Sequence, residues 1–261
     1  TSARSKGSIP RHFVANVEPA MADAHYRALK SAILARLGTG DSTAELDALQ
    51  IAATGIVVDS NGVPSEAKWA PLVALMDLSQ EPAKSAEAIE TAHKAQRWAA
   101  AAIAALAEDS SANQVAVAEE GGIAALVELL KRVGVSAPHE NATKALWHLA
   151  AFADNKISIA KAGGIRPLVR LLVQGSEQAA EWAAAALEEL SNGCADNQLS
   201  LLRDGAIPPL IELLGSDSDQ TQRHSLGALL HISAPGEANL NAVVTPLVGL
   251  LEVRNADAQL K

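Results

Sequence analysis

Two acidic pairs and one cysteine are the residues whose types could support catalysis. Glu188 and Glu189 are adjacent in sequence, as are Glu119 and Glu120. Adjacent positions on a helix do not face the same way, so neither pair is placed to share a proton. Cys194 follows a glycine that we expect to end a helix, and a helix C-terminus disfavours the thiolate that a nucleophile needs. The sequence also lacks a phosphate-binding glycine loop, zinc-ligand spacing and a nucleophile elbow. We therefore expect no enzyme activity and no cofactor.

A ten-residue phrase recurs along the chain. It is Gly-Gly-Ile-Ala-Ala-Leu-Val-Glu-Leu-Leu at 121–130, Gly-Gly-Ile-Arg-Pro-Leu-Val-Arg-Leu-Leu at 163–172 and Gly-Ala-Ile-Pro-Pro-Leu-Ile-Glu-Leu-Leu at 205–214, a spacing of 42 residues. Its apolar residues recur at three- and four-residue steps, which predicts an amphipathic helix. The leading glycines can adopt the left-handed conformation that separates one helix from the next. A fixed period of this size is typical of stacked helical repeats.

A second landmark repeats in register with the first. Asn113, Asn155, Asn197 and Asn239 are also 42 residues apart, and we expect each to cap the N-terminus of a short first helix. The two landmarks together resemble the armadillo repeat family, whose units join a short first helix, a second helix that opens with Gly-Gly-Ile or Gly-Ala-Ile, and a long third helix. The resemblance implies an all-α, right-handed α-solenoid over residues 65–261, with HEAT repeats as the nearest alternative.

Composition narrows the class of partner. Hydrophobic residues make up 49% of the 261 residues, aromatic residues make up 3%, and the net charge is −9. An acidic chain lacks the basic face that neutralises phosphates, so we do not expect general nucleic-acid binding. The apolar runs are too short to span a bilayer, so we expect a soluble protein. The single cysteine excludes an internal disulfide and leaves cytosol, plastid and mitochondrion open as compartments.

The sequence predicts three regions. Residues 1–17 form an extended, basic, serine-rich arm without acidic residues, which would become ordered only against another surface. The composition of this arm also resembles the end of an organelle transit peptide. Residues 18–64 form two helices that cap the first repeat, and residues 65–261 are the repeats. The basic residues of the arm are Arg4, Lys6 and Arg11.

Two repeats depart from the pattern. In the first repeat, a dozen extra residues around 80–85 lie between the second and third helices, either as a binding loop or as a tolerated surface insertion. In the last repeat, residues 255–259 are expected to form the loop and first turn of a third helix that is cut short at Lys261. The second helix around Leu247 would then be half uncovered, so we expect further sequence or a partner at this end.

The resemblance implies that the third helices line a concave binding face. In importin-α and β-catenin, an Asn on each third helix clamps the backbone of a bound peptide, and a Trp one turn earlier supplies a wall. Neither residue type is kept at the matching positions here, so we do not expect peptide recognition of the nuclear-import kind. The Asn positions hold Ala105, His148, Glu189 and His231, and the Trp positions hold Ala101, Lys144, Ala185 and Gly227.

A mixed aromatic, basic and acidic surface is predicted in place of those two rows. Trp98 and Trp182 either contact a partner on this face or pack beneath the neighbouring repeat. His148 and His231 share a row, but they are two repeats apart, about 20 Å at the spacing of packed helices, which is too far to share a metal ion. The predicted protein-binding residues are Arg97, Trp98, Asn141, Lys144, His148, Glu181, Trp182, Glu189, His224 and His231.

These features leave three functions open. The first is a non-catalytic protein-interaction scaffold, as a peripheral or accessory subunit docked in a larger assembly. The second is a cargo-peptide adaptor of the importin-α type, which would bind peptides rich in Lys and Arg. The third is an α-solenoid pigment lyase, which would need an apolar pocket with an acid in it and a bound chromophore. The partner itself is not indicated by the sequence.

Overall fold

The computed structural model describes residues 86–132, 136–234 and 236–259, and all regular structure in these ranges is α-helical. The predicted arm, the cap helices and the insertion around 80–85 lie outside the described residues. The helices are α1 (Ala86–Ala107), α2 (Ser111–Glu119), α3 (Gly122–Lys131), α4 (Ser136–Ala150), α5 (Ala153–Lys161), α6 (Ile165–Gln174), α7 (Glu177–Ser191), α8 (Ala195–Arg203), α9 (Ile207–Leu213), α10 (Asp219–Ser233) and α11 (Glu237–Gln259).

The helices form consecutive three-helix units. Helices α2–α4, α5–α7 and α8–α10 are three such units, and their first helices begin at Ser111, Ala153 and Ala195, at the predicted spacing. Helix α1 is the third helix of a preceding unit. The third helices α1, α4, α7 and α10 pack side by side in chain order. The prediction of an all-α solenoid is therefore confirmed.

Glycines produce the turn between the first and second helices of each unit. Gly121, Gly163 and Gly205 have φ angles of 81°, 82° and 75°, in the left-handed region. This conformation costs other residues about 1–2 kcal/mol, so the repeated glycine is a backbone requirement, as the sequence predicted.

The repeated asparagines do not cap the first helices, and that prediction is wrong. The N-cap residues of α2, α5 and α8 are Ser110, Phe152 and Cys194. The asparagines lie three positions later, inside the helices, and their side chains are buried. Cys194 consequently lies at the start of α8 and not at a helix C-terminus, so the argument from a C-terminal helix dipole does not apply to it.

Asn155, Asn197 and Asn239 instead donate side-chain hydrogen bonds to backbone carbonyls. Nδ2 of Asn155 donates to the carbonyl oxygens of Leu149, at 3.0 Å, and of Gln114, at 3.0 Å. Leu149 lies in the last turn of the third helix α4, where carbonyls have no partner within the helix. Gln114 lies in the first helix of the previous unit. One side chain thus connects three helices of two units.

The same connection recurs one unit later. Nδ2 of Asn197 donates to the carbonyl of Leu190, at 2.9 Å, and to that of Lys156, at 3.2 Å. Nδ2 of Asn239 donates to the carbonyl of Ile232, at 3.0 Å. The asparagine period therefore reflects a structural link between repeats.

Small side chains allow the third helices to approach closely. Ala183, Ala184, Ala185 and Ala186 of α7 are fully buried, with 0% exposure. Alanine leaves room for a neighbouring helix on more than one side and has the highest helix propensity. The low aromatic content of the chain follows from this packing.

The last unit differs from its prediction. Helix α11 continues without a break from Glu237 to Gln259, so the loop expected at residues 255–259 is helical instead. Leu210 lies thirteen positions after Asn197, but Leu247 lies only eight positions after Asn239, and no glycine lies between the latter two. The first and second helices fuse because the turn between them is missing. None of the described helices is long and apolar enough to cross a membrane.

Asn197→Ala should destabilise the protein by about 2–3 kcal/mol, because the carbonyl of Leu190 loses a buried hydrogen bond and that of Lys156 loses a partly buried one. The exposed Asn192→Ala, five residues earlier, is the matched control and should change stability by less than about 0.5 kcal/mol. Urea unfolding followed by circular dichroism measures both. Equal midpoints for the two variants would show that the buried asparagine does not hold the repeats together.

Candidate functional site

The third helices α1, α4, α7 and α10 form one continuous layer, and this layer carries most of the predicted binding residues. Because successive third helices are adjacent, side chains at equivalent positions come within reach of one another across the repeats. The site is therefore formed by contacts between side chains of neighbouring helices.

An aromatic cluster forms the centre of the layer. The indole of Trp147 on α4 stacks on the indole of Trp182 on α7, with ring centroids 5.2 Å apart, and on the ring of His148 at 4.6 Å. Its edge also contacts His224 on α10, at 5.8 Å. Trp147 therefore spans three consecutive third helices. Such ring pairs contribute about 0.5–1.5 kcal/mol each beyond the area they bury.

A cation covers the second indole. Nζ of Lys144 lies 5.3 Å from the ring centroid of Trp182, within the range of a cation–π interaction. Trp182 is half-buried, so part of its surface faces solvent. We call Lys144, Trp147, His148, Trp182 and His224 the Trp147 cluster.

An acid and a glycine complete one side of the cluster. Oε2 of Glu188 lies 2.7 Å from Nδ1 of His224, and the two side chains are 27% and 17% exposed. A Cβ atom on Gly227 would lie 2.0 Å from Oε1 of Glu188. The glycine at this position thus leaves the space that the carboxylate occupies.

The ends of α7 and α10 meet through a second polar group. Nδ1 of His231 lies 3.2 Å from the carbonyl oxygen of Glu188 and 3.5 Å from Oγ of Ser191. Glu189 points elsewhere, and its Oε2 lies 3.4 Å from Nζ of Lys156 on α5. Glu188 and Glu189 therefore face different helices. Both acids have specific partners on neighbouring helices.

Other predicted binding residues connect neighbouring third helices. Oε2 of Glu181 accepts hydrogen bonds from Oγ of Ser218, at 2.8 Å, and Oγ1 of Thr221, at 3.3 Å. Nδ2 of Asn141 donates to the carbonyl oxygen of Arg97 at 3.2 Å. These contacts orient α10 on α7 and α4 on α1.

The predicted site residues thus fall into separate groups. Lys144, His148, Trp182 and His224 come together around Trp147. Glu181 and Asn141 hold adjacent helices together, and Glu189 and His231 lie near the C-terminal end of α7. The side chain of Trp98 lies outside the described residues, as do Arg4, Lys6 and Arg11.

Sequence analysis missed the two residues on which the cluster depends. Trp147 and Glu188 occupy equivalent positions of successive third helices, and each reaches the next helix. The position just before His148 could have been compared between units. Trp147 would then have been noticed, because the chain has only four tryptophans. The same comparison would have found Glu188 at the equivalent position one unit later.

Burial favours the neutral form of two histidines. Burial, the largest influence, lowers the pKa of His148, and Lys144 lowers it further, while Glu108 and Asp109 oppose these effects. Nε2 of His148 is buried without a hydrogen-bond partner among the described residues. Burial also lowers the pKa of His139, whose Nε2 lies 3.1 Å from the carbonyl oxygen of Leu129. In the described ranges no group of three or more acidic, His or Cys side chains is arranged to hold a metal ion.

Stacked three-helix units linked by buried side chains define an α-solenoid repeat protein. Residues 194–234 match the family model of the armadillo/β-catenin-like repeat. This match covers one repeat, and the described three-helix units have the fold of an armadillo-type solenoid.

Solved structures agree with this fold. A computationally designed armadillo repeat protein for modular peptide recognition is 25% identical, with a TM-score of 0.62 over 83% of this chain and 87% of its own. A designed armadillo repeat protein in complex with the peptide (KR)4 is 23% identical, with a TM-score of 0.61 over 83% of this chain and 87% of its own. An engineered protein gives a TM-score of 0.64 at 23% identity, over 83% of this chain and 86% of its own. A search of curated proteins gave no match.

Stability should fall as the pH drops from about 7 to 5, because the unfolded chain protonates His148 at a higher pH than the folded chain does. The sign follows from the lowered pKa: the unfolded state binds more protons between its own pKa and that of the folded state. His148→Gln should flatten this dependence, whereas Leu199→Gln, at an exposed position, should retain it. Urea unfolding at a series of pH values measures how the free energy of unfolding changes with pH. The same change with pH in the wild type and in His148→Gln would contradict the expectation.

Proposed function

We propose that this protein is a non-catalytic scaffold that binds other proteins through the concave face of its third helices. The observation that supports the proposal is the half-buried indole of Trp182, which lies between Trp147 and Lys144 in the layer of third helices. Tryptophan is the residue most enriched among those that dominate binding energy at protein interfaces. The armadillo fold supports the general mode of action, since the described repeats present one extended face built from equivalent helices.

The Trp147 cluster is suited to binding because its side chains are already held in place. Stacking fixes Trp182 against Trp147, and Glu188 fixes His224. Side chains that are ordered before binding lose less conformational entropy when a partner arrives. An apolar or aromatic anchor residue of a partner could then pack on the open part of Trp182.

The finer proposal is that the protein is a peripheral or accessory subunit of a larger assembly. The arm of residues 1–17 would supply a second contact, with Arg4, Lys6 and Arg11 binding an acidic surface of the same assembly. A basic arm and an aromatic face that engage one partner together gain affinity through their linkage. The contact made by the arm would weaken with salt, and the aromatic contact would not.

A cargo-peptide adaptor is the second candidate, because α7 carries four acids and a similar designed protein was solved with (KR)4. The contacts of these acids argue against an adaptor function. Glu181, Glu188 and Glu189 each have a partner on a neighbouring helix, so a basic peptide would have to displace those contacts. The adaptor predicts binding of labelled (KR)4 at about 1 μM or tighter, whereas the scaffold predicts no binding in that range. Anisotropy titration decides between them.

Trp182→Ala should weaken partner binding by about tenfold or more, because it removes the central anchor. The partner is first recovered from a native extract of the source by size-exclusion chromatography with light scattering, as a species far above the 27.0 kDa of the chain. Affinities of purified variants for that partner are then compared.

Val173→Ala is the matched control, since Val173 is 66% exposed on a second helix, and it should bind as the wild type does. Circular dichroism establishes that both variants are folded. Wild-type affinity of a folded Trp182→Ala variant would refute binding through the concave face. Aggregation of Trp182→Ala would instead assign Trp182 to the core.

A further inference from the structure

Helix α10 carries two leucines in an unusual environment. Leu226 is 50% exposed and Leu230 is 59% exposed. Leu226 takes the position of Thr143 in α4 and of Ala184 in α7, and both of those side chains are fully buried. First and second helices are present in all three units, so the difference comes from the third helix that follows α4 and α7. The described residues leave that place open beside α10.

Leu230 occupies the position that contacts the following helix in the earlier units. Its equivalents are Trp147, which stacks on Trp182 at 5.2 Å, and Glu188, which pairs with His224 at 2.7 Å. In α10 the same position carries an aliphatic side chain and has no neighbour that covers it among the described residues. A helix placed there would bury both leucines.

Helix α11 does not fill this place. It packs on α9 and α10, yet Leu226 and Leu230 remain half-exposed in its presence. Because α11 is one continuous helix, its described residues do not fold back to form a further third helix.

Arg223, near the start of α10, indicates which kind of helix would fit beside Leu226 and Leu230. Glu140 and Glu181 accept hydrogen bonds from Ser176, at 2.5 Å, and Ser218, at 2.8 Å, the N-cap residues of α7 and α10. Consecutive third helices therefore have adjacent N-termini and run in the same direction. In α10 the equivalent position is Arg223, which has only donors and pairs best with a carboxylate.

We propose that Arg223, Leu226 and Leu230 form an end face that binds an amphipathic α-helix of a partner protein. The helix lies parallel to α10 in the place of a further third helix. Its apolar stripe covers the two leucines, and an acidic N-cap or first-turn residue pairs with Arg223. This site is separate from the Trp147 cluster and does not depend on what binds there.

The probe is a fluorescein-labelled peptide of residues 176–191 that carries Ser176→Asp. It offers the alanine-rich stripe and tryptophan with which α7 packs in the native fold, and a staple on its outer face keeps it helical, as circular dichroism verifies. Anisotropy titration with the full chain should show saturable binding. The unsubstituted peptide should bind about threefold or more weakly, as expected for one charge-assisted hydrogen bond near solvent.

Variants of the protein locate the binding. Leu230→Asp should reduce affinity by about tenfold or more, while Leu199→Asp, at a similarly exposed leucine of α8, should leave it unchanged. Arg223→Glu should reverse the preference for the acidic peptide. Trp182→Ala should not affect this binding, which separates the end face from the concave face.

Three outcomes would overturn the proposal. One is the absence of binding by the helical peptide at protein concentrations up to about 1 mM. Another is equal affinity for Leu230→Asp and Leu199→Asp. The third is a dimer of the wild-type chain in light scattering that Leu230→Asp abolishes, because the end face would then bind a second copy of this chain.

Discussion

The repeat geometry depends on the hydrogen bonds of buried asparagines in the first helices. Asn155 and Asn197 each donate to two carbonyl oxygens, one at the end of the preceding third helix and one in the first helix of the previous unit. Because an unpaired carbonyl is costly when buried, these bonds allow one relative placement of the three helices. The glycine with positive φ fixes the next turn, so one amide and one backbone conformation set how each unit follows the last.

This constraint leaves the third helices free to carry different side chains. Their inner positions are filled by alanine, and their contacts along the layer vary from unit to unit: Trp147 stacks on Trp182, whereas Glu188 at the equivalent position pairs with His224. Both contacts are made from the same position of a third helix to the third helix of the next unit. The binding surface can therefore change in chemistry without changing the path of the solenoid, because the links that determine the path lie in the first helices.

The fold could be predicted from the sequence because its two determinants are single residue types at a fixed period. The role of the asparagine could not, since spacing does not show where a helix begins, and the N-cap residues Ser110, Phe152 and Cys194 share no residue type. The site was predicted only in part. Aligning each repeat with the family places residues in rows, but Trp147 contacts residues of the next two units, and such contacts depend on side-chain reach across helices.

The fused helix α11 shows how strictly the turn depends on its glycine. With five fewer residues between Asn239 and Leu247 than between the equivalent pair in the previous unit, and no glycine among them, the helix continues through Pro246. The buried asparagine is still bonded to the end of α10, so the first part of α11 is placed as in the other units. What is lost is the reversal of direction that would bring a further third helix beside α10. The exposure of Leu226 is a consequence of that lost turn, since its equivalents are buried where the turn is present.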